Sequence, residues 1–247
     1  MAPTTVLISG ANRGLGKGLL ERYLARPNHI AIAANRNPEN STSKALAGLP
    51  KGQNSRLIVI KVDASVESDA AGGVKQLIAQ GIDHLDIVIA NAGVSYAWPK
   101  VSEVKTAELQ GHLTPDLFGL IWLYQATLPL LKKSVGPKWI TIGTIAGKLE
   151  EQPLIPNAAY ATSKAAAHWV TKRINAEEDW LTAFVIHPGL VDTDMGQAVM
   201  NGLGMAGSIS IITTDESCGG MVGLIDVATK ESHGGRFWDY DGERESW

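Results

Sequence analysis

Apolar residues occur along the chain in short runs separated by longer amphipathic stretches. Several runs are continuously apolar rather than alternating, which is typical of strands that are covered on both faces. The predicted strands are Thr5–Ser9, Ile30–Ala34, Leu57–Val62, Leu85–Ala90, Trp139–Gly143, Leu181–His187 and Arg236–Asp239. The predicted helices are Gly14–Arg26, Glu67–Gln80, about Leu109–Leu131, Ala158–Glu178 and Asp215–Ala228.

This alternation predicts an α/β protein with one doubly wound Rossmann-type domain. A parallel sheet of about seven strands is flanked by helices on both faces, with right-handed crossovers. The 247 residues suit one large domain, and no Pro/Gly/Ser-rich linker divides them, so residues 1–247 are predicted to form a single unit. Residues 192–210 are rich in Gly and Met without a strand pattern, which predicts a long functional loop.

Composition excludes several classes of partner. The net charge is −3 with acidic and basic residues interspersed, so neither nucleic-acid nor anionic-membrane binding is predicted. No apolar run has membrane-spanning length, and the first residues lack a targeting pattern, so a cytoplasmic protein is expected. The single cysteine, Cys218, cannot form an internal disulfide and is interpreted as a small buried apolar residue. No metal site is predicted.

A glycine-rich segment, Ser9–Gly16, joins the first predicted strand to the first helix. It reads S-G-A-N-R-G-L-G, so Gly10, Gly14 and Gly16 allow the backbone to approach a pyrophosphate at a helix N-terminus. The position between a strand and a helix favours dinucleotide binding, although a turn of this kind alone need not hold a ligand.

The residues after the second strand indicate which dinucleotide is bound. Enzymes that use NAD place an acid there for the ribose hydroxyl, whereas this chain has Asn35 and Arg36, with no acid before Glu39. A guanidinium binds a phosphate well, and Arg13 in the glycine turn can reach the same group. Either arginine alone is typical of a solvated surface charge. Together they predict NADPH.

Tyr160 and Lys164 are one helical turn apart in a segment of small residues. A phenol has a pKa of about 10, and a neighbouring ammonium is expected to lower it, which makes a usable proton donor. A solvated Tyr/Lys pair is the alternative, but the small neighbours indicate close packing.

Taken in order, these motifs resemble the short-chain dehydrogenase/reductase (SDR) family. The spacing G-x-x-x-G-x-G, Ala90-Asn91-Ala92-Gly93, the Tyr160/Lys164 pair and His187-Pro188-Gly189 carry the resemblance. Within this family, the chain resembles norsolorinic acid ketoreductase-type enzymes of fungal aromatic polyketide pathways. The cofactor contacts, from the glycine turn and the resemblance together, are Gly10, Asn12, Arg13, Gly14, Leu15, Gly16, Asn35, Arg36, Asp63, Asn91, Gly93, Tyr160, Lys164, Pro188, Gly189, Val191 and Thr193.

The resemblance also implies two further catalytic residues, each with a substitution. Thr144 falls where the family has a serine that polarises the carbonyl, and its hydroxyl can donate in the same way. Asp116 falls where the family has an asparagine that supports a proton relay to Lys164. A structural Thr144 remains the alternative, and His187 is interpreted as structural.

Three loops at the carboxyl ends of the strands are expected to contact the substrate: Ser95–Trp98, Leu149–Ile155 and Asp192–Ala206. Trp98, Met195, Met200 and Met205 suit an apolar lining or, equally, core packing. The resulting hypothesis is an NADPH-dependent ketoreductase for a lipophilic or aromatic ketone, such as a polyketide intermediate of secondary metabolism. A cyclase or isomerase on the same scaffold and a catalytically weak NADP-binding regulator remain alternatives.

Two helices predict self-association into a homodimer or homotetramer. The helix at about Leu109–Leu131 is apolar around much of its circumference, and the helix from Ala158 carries small and apolar residues. Enzymes of the resembling family pair these helices across a two-fold axis.

Overall fold

A single eight-stranded sheet runs through the computed structural model, which describes residues 2–153, 155–204 and 211–247. Its order is β3-β2-β1-β4-β5-β6-β7-β8, and all neighbours are parallel except β7 and β8. The strands are β1 (Thr4–Ser9), β2 (His29–Asn35), β3 (Arg56–Lys61), β4 (Ile87–Ala90), β5 (Lys138–Ile142), β6 (Thr182–His187), β7 (Phe237–Asp239) and β8 (Arg244–Glu245).

Helices cover both faces of this sheet. They are α1 (Gly14–Leu24), α2 (Ser41–Ala45), α3 (Glu67–Ala79), α4 (Thr106–Leu113), α5 (Gly119–Leu131), α6 (Ala158–Glu177), α7 (Asp194–Gly202), α8 (Thr214–Val227) and α9 (Lys230–His233). A π-helix (Thr114–Phe118) joins α4 to α5, and short 3-10 helices lie at Leu46–Gly48 and Ile145–Gly147.

The core has two layers because successive side chains of a strand point to opposite faces. On β1, Val6 and Ile8 pack with residues of α1 and α8, whereas Leu7 packs with residues of α3, α5 and α6. Cys218 belongs to the first layer and is fully buried, as expected. The strands are therefore fixed from both sides, and their carboxyl ends form one edge on which a site can be built.

The predicted doubly wound fold is confirmed, with three local differences. The long helix predicted at about Leu109–Leu131 starts earlier and contains the π-helix at Pro115, since proline lacks the N–H that an α-helical turn needs. The predicted loop 192–210 contains α7, whose first turn is capped by the Thr193 hydroxyl, while residues 205–210 lie outside the described part. The short α2, α9 and β8 were not predicted.

The chain leaves β1 toward β2 on one side and later returns to β4 on the other. In open α/β sheets, ligands bind at the carboxyl edge where the strand order reverses in this way. Within the described residues, no helix is long and apolar enough to cross a membrane.

Candidate active site

The glycine turn after β1 forms a tight backbone cradle. Gly10 and Gly14 have φ angles of +67° and +52°, a region that glycine adopts readily. A β-carbon on Gly16 would lie 2.3 Å from the Gly10 carbonyl oxygen. The Asn91 amide donates to the carbonyl oxygens of Ser9 (2.9 Å) and Gly10 (3.2 Å) and so braces the turn from β4. A cradle that only glycine can form fits the pyrophosphate of a dinucleotide.

The turn after β6 faces this cradle. A β-carbon on Gly14 would lie 3.5 Å from Thr193 Cγ2, so the two predicted contacts lie on facing walls of the cleft. Gly189 has a φ of +79°, and the Pro188 carbonyl oxygen accepts from the Ser217 hydroxyl at 2.6 Å. These contacts fix the Pro188-Gly189 turn, so the structure brings both predicted segments to one cleft.

The side chains of two predicted cofactor contacts, Leu15 and Val191, pack inside the protein and do not face the cleft. Leu15 packs against the core layer beneath α1, and Val191 is 4% exposed and forms a β-bridge with Ile212. Only their backbones are available to a cofactor.

Asn35 was predicted to contact the cofactor, but its side chain is fully buried. Its Oδ1 accepts the Ala11 N–H at 2.9 Å, and its Nδ2 donates to Ser43 Oγ at 3.1 Å. Because both polar atoms are used within the protein, the side chain shapes the glycine turn rather than facing a ligand.

Asp63 and Asn12 are also engaged with neighbours. Asp63 Oδ1 accepts the Ser65 N–H at 2.9 Å, which forms a turn ahead of α3. Asn12 Nδ2 donates to Thr42 Oγ1 at 2.7 Å and so links the glycine turn to α2.

The two arginines proposed for a 2′-phosphate differ in their surroundings. Arg36 is exposed and has no hydrogen-bond or ion-pair partner among the described residues. Arg13 forms an exposed ion pair with Asp194 at 2.7 Å, which reaches across the cleft to α7. Glu39, the nearest acid, is paired with Lys44 at 3.0 Å. Arg36 is therefore the guanidinium that is free to bind an anion.

Lys164 is buried beside Tyr160 on α6. Its ammonium lies 5.7 Å from the Tyr160 ring centroid and donates to the Ile142 carbonyl oxygen, at the end of β5, at 3.0 Å. Burial lowers the pKa of Lys164, while the negative charge of Asp116 opposes this shift. The ammonium is thus held at the end of β5, where the charge of Asp116 also acts on it.

The expected lowering of the Tyr160 pKa is not seen. Burial raises the pKa of the phenol well above its usual value, and the negative charge of Asp116 raises it further. The Lys164 ammonium, which donates to the Ile142 carbonyl oxygen, does not outweigh burial and Asp116. In this structure Tyr160 is held in its protonated form.

Asp116 lies in the π-helix, and its carboxylate is 2% exposed. Oδ1 accepts the Val94 N–H at 2.8 Å, and Oδ2 accepts the Ser163 hydroxyl at 2.8 Å. A β-carbon on Gly93 would lie 3.0 Å from Asp116 Oδ1 and 3.4 Å from Lys164 Nζ, so the predicted relay residues do meet. Burial raises the pKa of Asp116, and the Lys164 charge acts in the opposite direction.

Thr144 caps the 3-10 helix that follows β5. Its Oγ1 accepts the Ala146 N–H at 3.2 Å, and its own N–H donates to His168 Nε2 at 3.3 Å. Among the residues that the structure describes, the Thr144 hydroxyl donates to no acceptor, so its proton is available to a substrate. His168 is buried on α6, and burial lowers its pKa to about 3, so it is neutral and able to accept.

The predicted substrate loops differ in what they contact. Trp98 lies against the end of α7, since a β-carbon on Gly202 would be 2.2 Å from its ring. Met195 is 38% exposed, whereas Met200 is 4% exposed and packs as a core residue. Met205 lies outside the described residues.

The described part of the segment Leu149–Ile155, which excludes residue 154, borders a cavity of about 570 Å³ together with Ala161 and Ala165 of α6. At 100° per residue, these alanines lie on a different face of α6 from Tyr160. Neither Tyr160 nor Thr144 lines the cavity. Contact between this segment and a substrate stays a prediction.

Three side chains of the network were not singled out from the sequence: Ser163, His112 and His168. Ser163 binds Asp116, and His168 binds the Thr144 backbone. The sequence spacing could have identified the two histidines. His168 follows Lys164 by four residues and His112 precedes Asp116 by four, and residues four apart lie on the same face of a helix.

Known proteins show the same family and fold. The family model described as short chain dehydrogenase matches residues 4–203. The short-chain dehydrogenase srdF of Neurospora crassa is 38% identical, covering 99% of this chain and 98% of its own. The norsolorinic acid ketoreductase nor1 of Dothistroma septosporum is 39% identical, covering 99% and 92%. The NADPH-bound carbonyl reductase from chicken fatty liver has the same fold, with a TM-score of 0.86 and 24% identity over 100% of both chains.

The chain therefore belongs to the short-chain dehydrogenase/reductase family, and the predicted resemblance is confirmed. It is an oxidoreductase that acts on C=O and CH–OH groups with a nicotinamide cofactor.

Proposed function

We propose that the protein is an NADPH-dependent ketoreductase that reduces a lipophilic or aromatic ketone, such as a polyketide intermediate of secondary metabolism. The observation that carries this proposal is a protonated Tyr160 beside the buried Lys164–Asp116 pair, at the carboxyl edge that also holds the glycine cradle. Relatives named as norsolorinic acid ketoreductases, at 35–39% identity, support the substrate class.

The residues that would hold the cofactor divide into three groups. The backbone of Gly10, Gly14 and Gly16 suits the pyrophosphate, and Arg36 suits a 2′-phosphate because it is exposed and free of a partner among the described residues. Thr193 faces the cradle from the opposite wall. When bound, the nicotinamide supplies the hydride that reduces the carbonyl carbon.

The chain's own residues handle the carbonyl oxygen. As negative charge develops on this oxygen, the Thr144 hydroxyl donates a hydrogen bond and the Tyr160 phenol transfers its proton, which leaves an alcohol and a tyrosinate. The Lys164 ammonium stabilises the tyrosinate as it forms. Burial lowers the pKa of Lys164, and the negative charge of Asp116 acts against this and favours the ammonium form.

The protonation state of Tyr160 suits a proton donor to a carbonyl oxygen. Reduction needs a protonated phenol at the start, and burial together with Asp116 raises the pKa of Tyr160 and so maintains this form. Oxidation of an alcohol would need tyrosinate in the resting enzyme.

A direct assay separates the alternatives. Purified protein incubated with NADPH and a panel of aromatic ketones should consume NADPH in proportion to alcohol formed, and Tyr160→Phe should not. Conversion of a substrate without net NADPH consumption would support a cyclase or isomerase instead. NADPH binding without any conversion would support a regulator.

We also propose that the protein forms a homodimer or homotetramer. Trp169 on α6 is 67% exposed and Phe118 before α5 is 44% exposed, and Ile121, Trp122 and Val170 are only partly buried. Several apolar side chains on adjacent helices favour a partner surface. Light scattering at micromolar concentration tests this, and a monomer mass near 26.3 kDa would contradict it.

A further inference from the structure

Two side chains one helical turn apart hold the loop after β4. The Val94 N–H donates to Asp116 Oδ1 at 2.8 Å, and the Tyr96 N–H donates to His112 Nε2 at 3.3 Å. The N–H groups of Val94 and Tyr96 point the same way because they alternate along an extended chain. Asp116 and His112 share a helix face because they are four residues apart, so each N–H group meets one acceptor. These bonds fix the loop on the helix.

The hydrogen bonds of His112 assign its neutral tautomer. Its Nδ1 lies 2.7 Å from the Glu108 carbonyl oxygen, and the side chain is fully buried. Since a carbonyl oxygen only accepts, Nδ1 carries the proton and Nε2 is free to accept from Tyr96.

The same histidine contacts two aromatic rings, those of Tyr96 and of the catalytic Tyr160. The rings of His112 and Tyr96 are stacked, with centroids 4.2 Å apart and an interplanar angle of 17°. The His112 ring also meets the Tyr160 ring edge-on at 6.2 Å. Tyr96 is 53% exposed although one face is covered by His112, so its other face is open.

Gly111 forms the second surface against which Tyr96 packs. A β-carbon on Gly111 would lie 1.8 Å from the Tyr96 hydroxyl oxygen, so the phenol rests directly on the backbone of α4. Glycine disfavours a helix compared with alanine. Its presence in α4 gives room for the Tyr96 ring.

Resting on the reductase activity proposed above, we propose that Tyr96 is a specificity-determining residue. Its position is fixed by Gly111 and by His112, which also contacts Tyr160, and its open ring face receives the flat ring system of an aryl ketone. Aromatic rings gain from offset stacking beyond the area they bury. A small aliphatic ketone has no ring face to place there. Tyr96 therefore favours aryl ketones over small aliphatic ones.

Two matched glycine substitutions test this assignment. Gly111→Ala and Gly72→Ala both place alanine in a helix, but only Gly111→Ala displaces Tyr96, because nothing lies within 4 Å of a β-carbon on Gly72. Specificity constants are measured with NADPH for an acetylnaphthalene and for butanone. The ratio of the two constants should fall about fivefold in Gly111→Ala and in Tyr96→Ala. It should stay at the wild-type value in Gly72→Ala and in Tyr96→Phe, which keeps the ring.

An equal change for both ketones, or no change in Tyr96→Ala, would overturn the assignment. If the wild type reduces neither ketone, the proposed function is wrong, and binding then decides the role of Tyr96. In that case, calorimetric titration of acetylnaphthalene should show weaker binding to Gly111→Ala than to Gly72→Ala. Equal binding would reject the proposal.

Discussion

The cofactor side and the catalytic side of the cleft are built in different ways. The cofactor side is a run of eight residues, Ser9–Gly16, in which the backbone itself forms the cradle. The catalytic side joins side chains that are far apart in the chain, such as Asp116 and Ser163, which are 47 residues apart. The cradle is therefore a property of local glycine spacing, whereas the catalytic network exists only once the sheet has formed.

This difference predicts how each side fails. A side chain added at a glycine of the cradle should distort the turn, because its atoms are already at contact distance. Loss of the Tyr160 proton should stop catalysis without disturbing cofactor binding.

The largest effect is expected for Tyr160→Phe. Loss of the proton donor should lower kcat by about a hundred- to ten-thousandfold, the usual contribution of general acid catalysis. NADPH affinity, measured by fluorescence titration, should stay within about twofold, since the phenol acts mainly on the developing alkoxide.

Lys164→Ala provides the contrast, because it should lower both turnover and NADPH affinity. If Tyr160→Phe kept most of its turnover, another group would have to supply the proton.

Next in size is the change of cofactor preference in Arg36→Asp. A guanidinium on a phosphate contributes about 1.5–3 kcal/mol, so the preference for NADPH over NADH should fall about ten- to a hundredfold. Specificity constants for both cofactors measure this. Arg13→Ala should have a smaller effect, because Arg13 is already paired with Asp194. Equal use of both cofactors by the wild type would refute the assignment.

The cradle itself is tested by Gly16→Ala. The added carbon would lie 2.3 Å from the Gly10 carbonyl oxygen and 2.5 Å from Asn91 Nδ2, and a backbone atom cannot move aside cheaply. We expect a loss of about 1–3 kcal/mol in the free energy of unfolding, typical of overpacking, and weaker NADPH binding.

Gly223→Ala in α8 is the matched control, because nothing lies within 4 Å of its β-carbon. It should leave NADPH affinity unchanged and stabilise the helix by about 0.5–1 kcal/mol. A stable Gly16→Ala protein with normal NADPH affinity would show that the cradle tolerates more volume than the structure indicates.

The same contrast explains what could be predicted from the sequence. The fold and the glycine turn follow from local patterns, namely strand periodicity and glycine spacing. The direction of the Tyr160 pKa shift could not be predicted, since it depends on how deeply the phenol is buried and on where Asp116 lies after folding. The internal contacts of the Asn35 side chain could not be predicted for the same reason, because its buried hydrogen bonds with Ala11 and Ser43 are tertiary.

The smallest effect concerns pH and two buried histidines on the catalytic side, His168 and His187. Burial lowers their pKa values to about 3 and about 4. Below about pH 6.5 both histidines become protonated in the unfolded chain but stay neutral in the folded protein. The free energy of unfolding therefore falls as pH falls. The loss is about 1.4 kcal/mol per histidine per pH unit. Asp239, whose pKa is raised to about 6 by burial, takes up a proton in the folded state and opposes the loss below that pH.

Urea unfolding at about pH 7 and about pH 5 measures this dependence. His187→Asn should make the loss on acidification smaller by about 2 kcal/mol, since asparagine does not titrate and one of the two histidines is removed. It should leave the Thr144 backbone in place, because that N–H is held by His168 rather than His187. Turnover at neutral pH should therefore stay close to wild type while acid tolerance improves. An unchanged pH dependence in His187→Asn would mean that His187 does not contribute to the decrease in the free energy of unfolding at low pH.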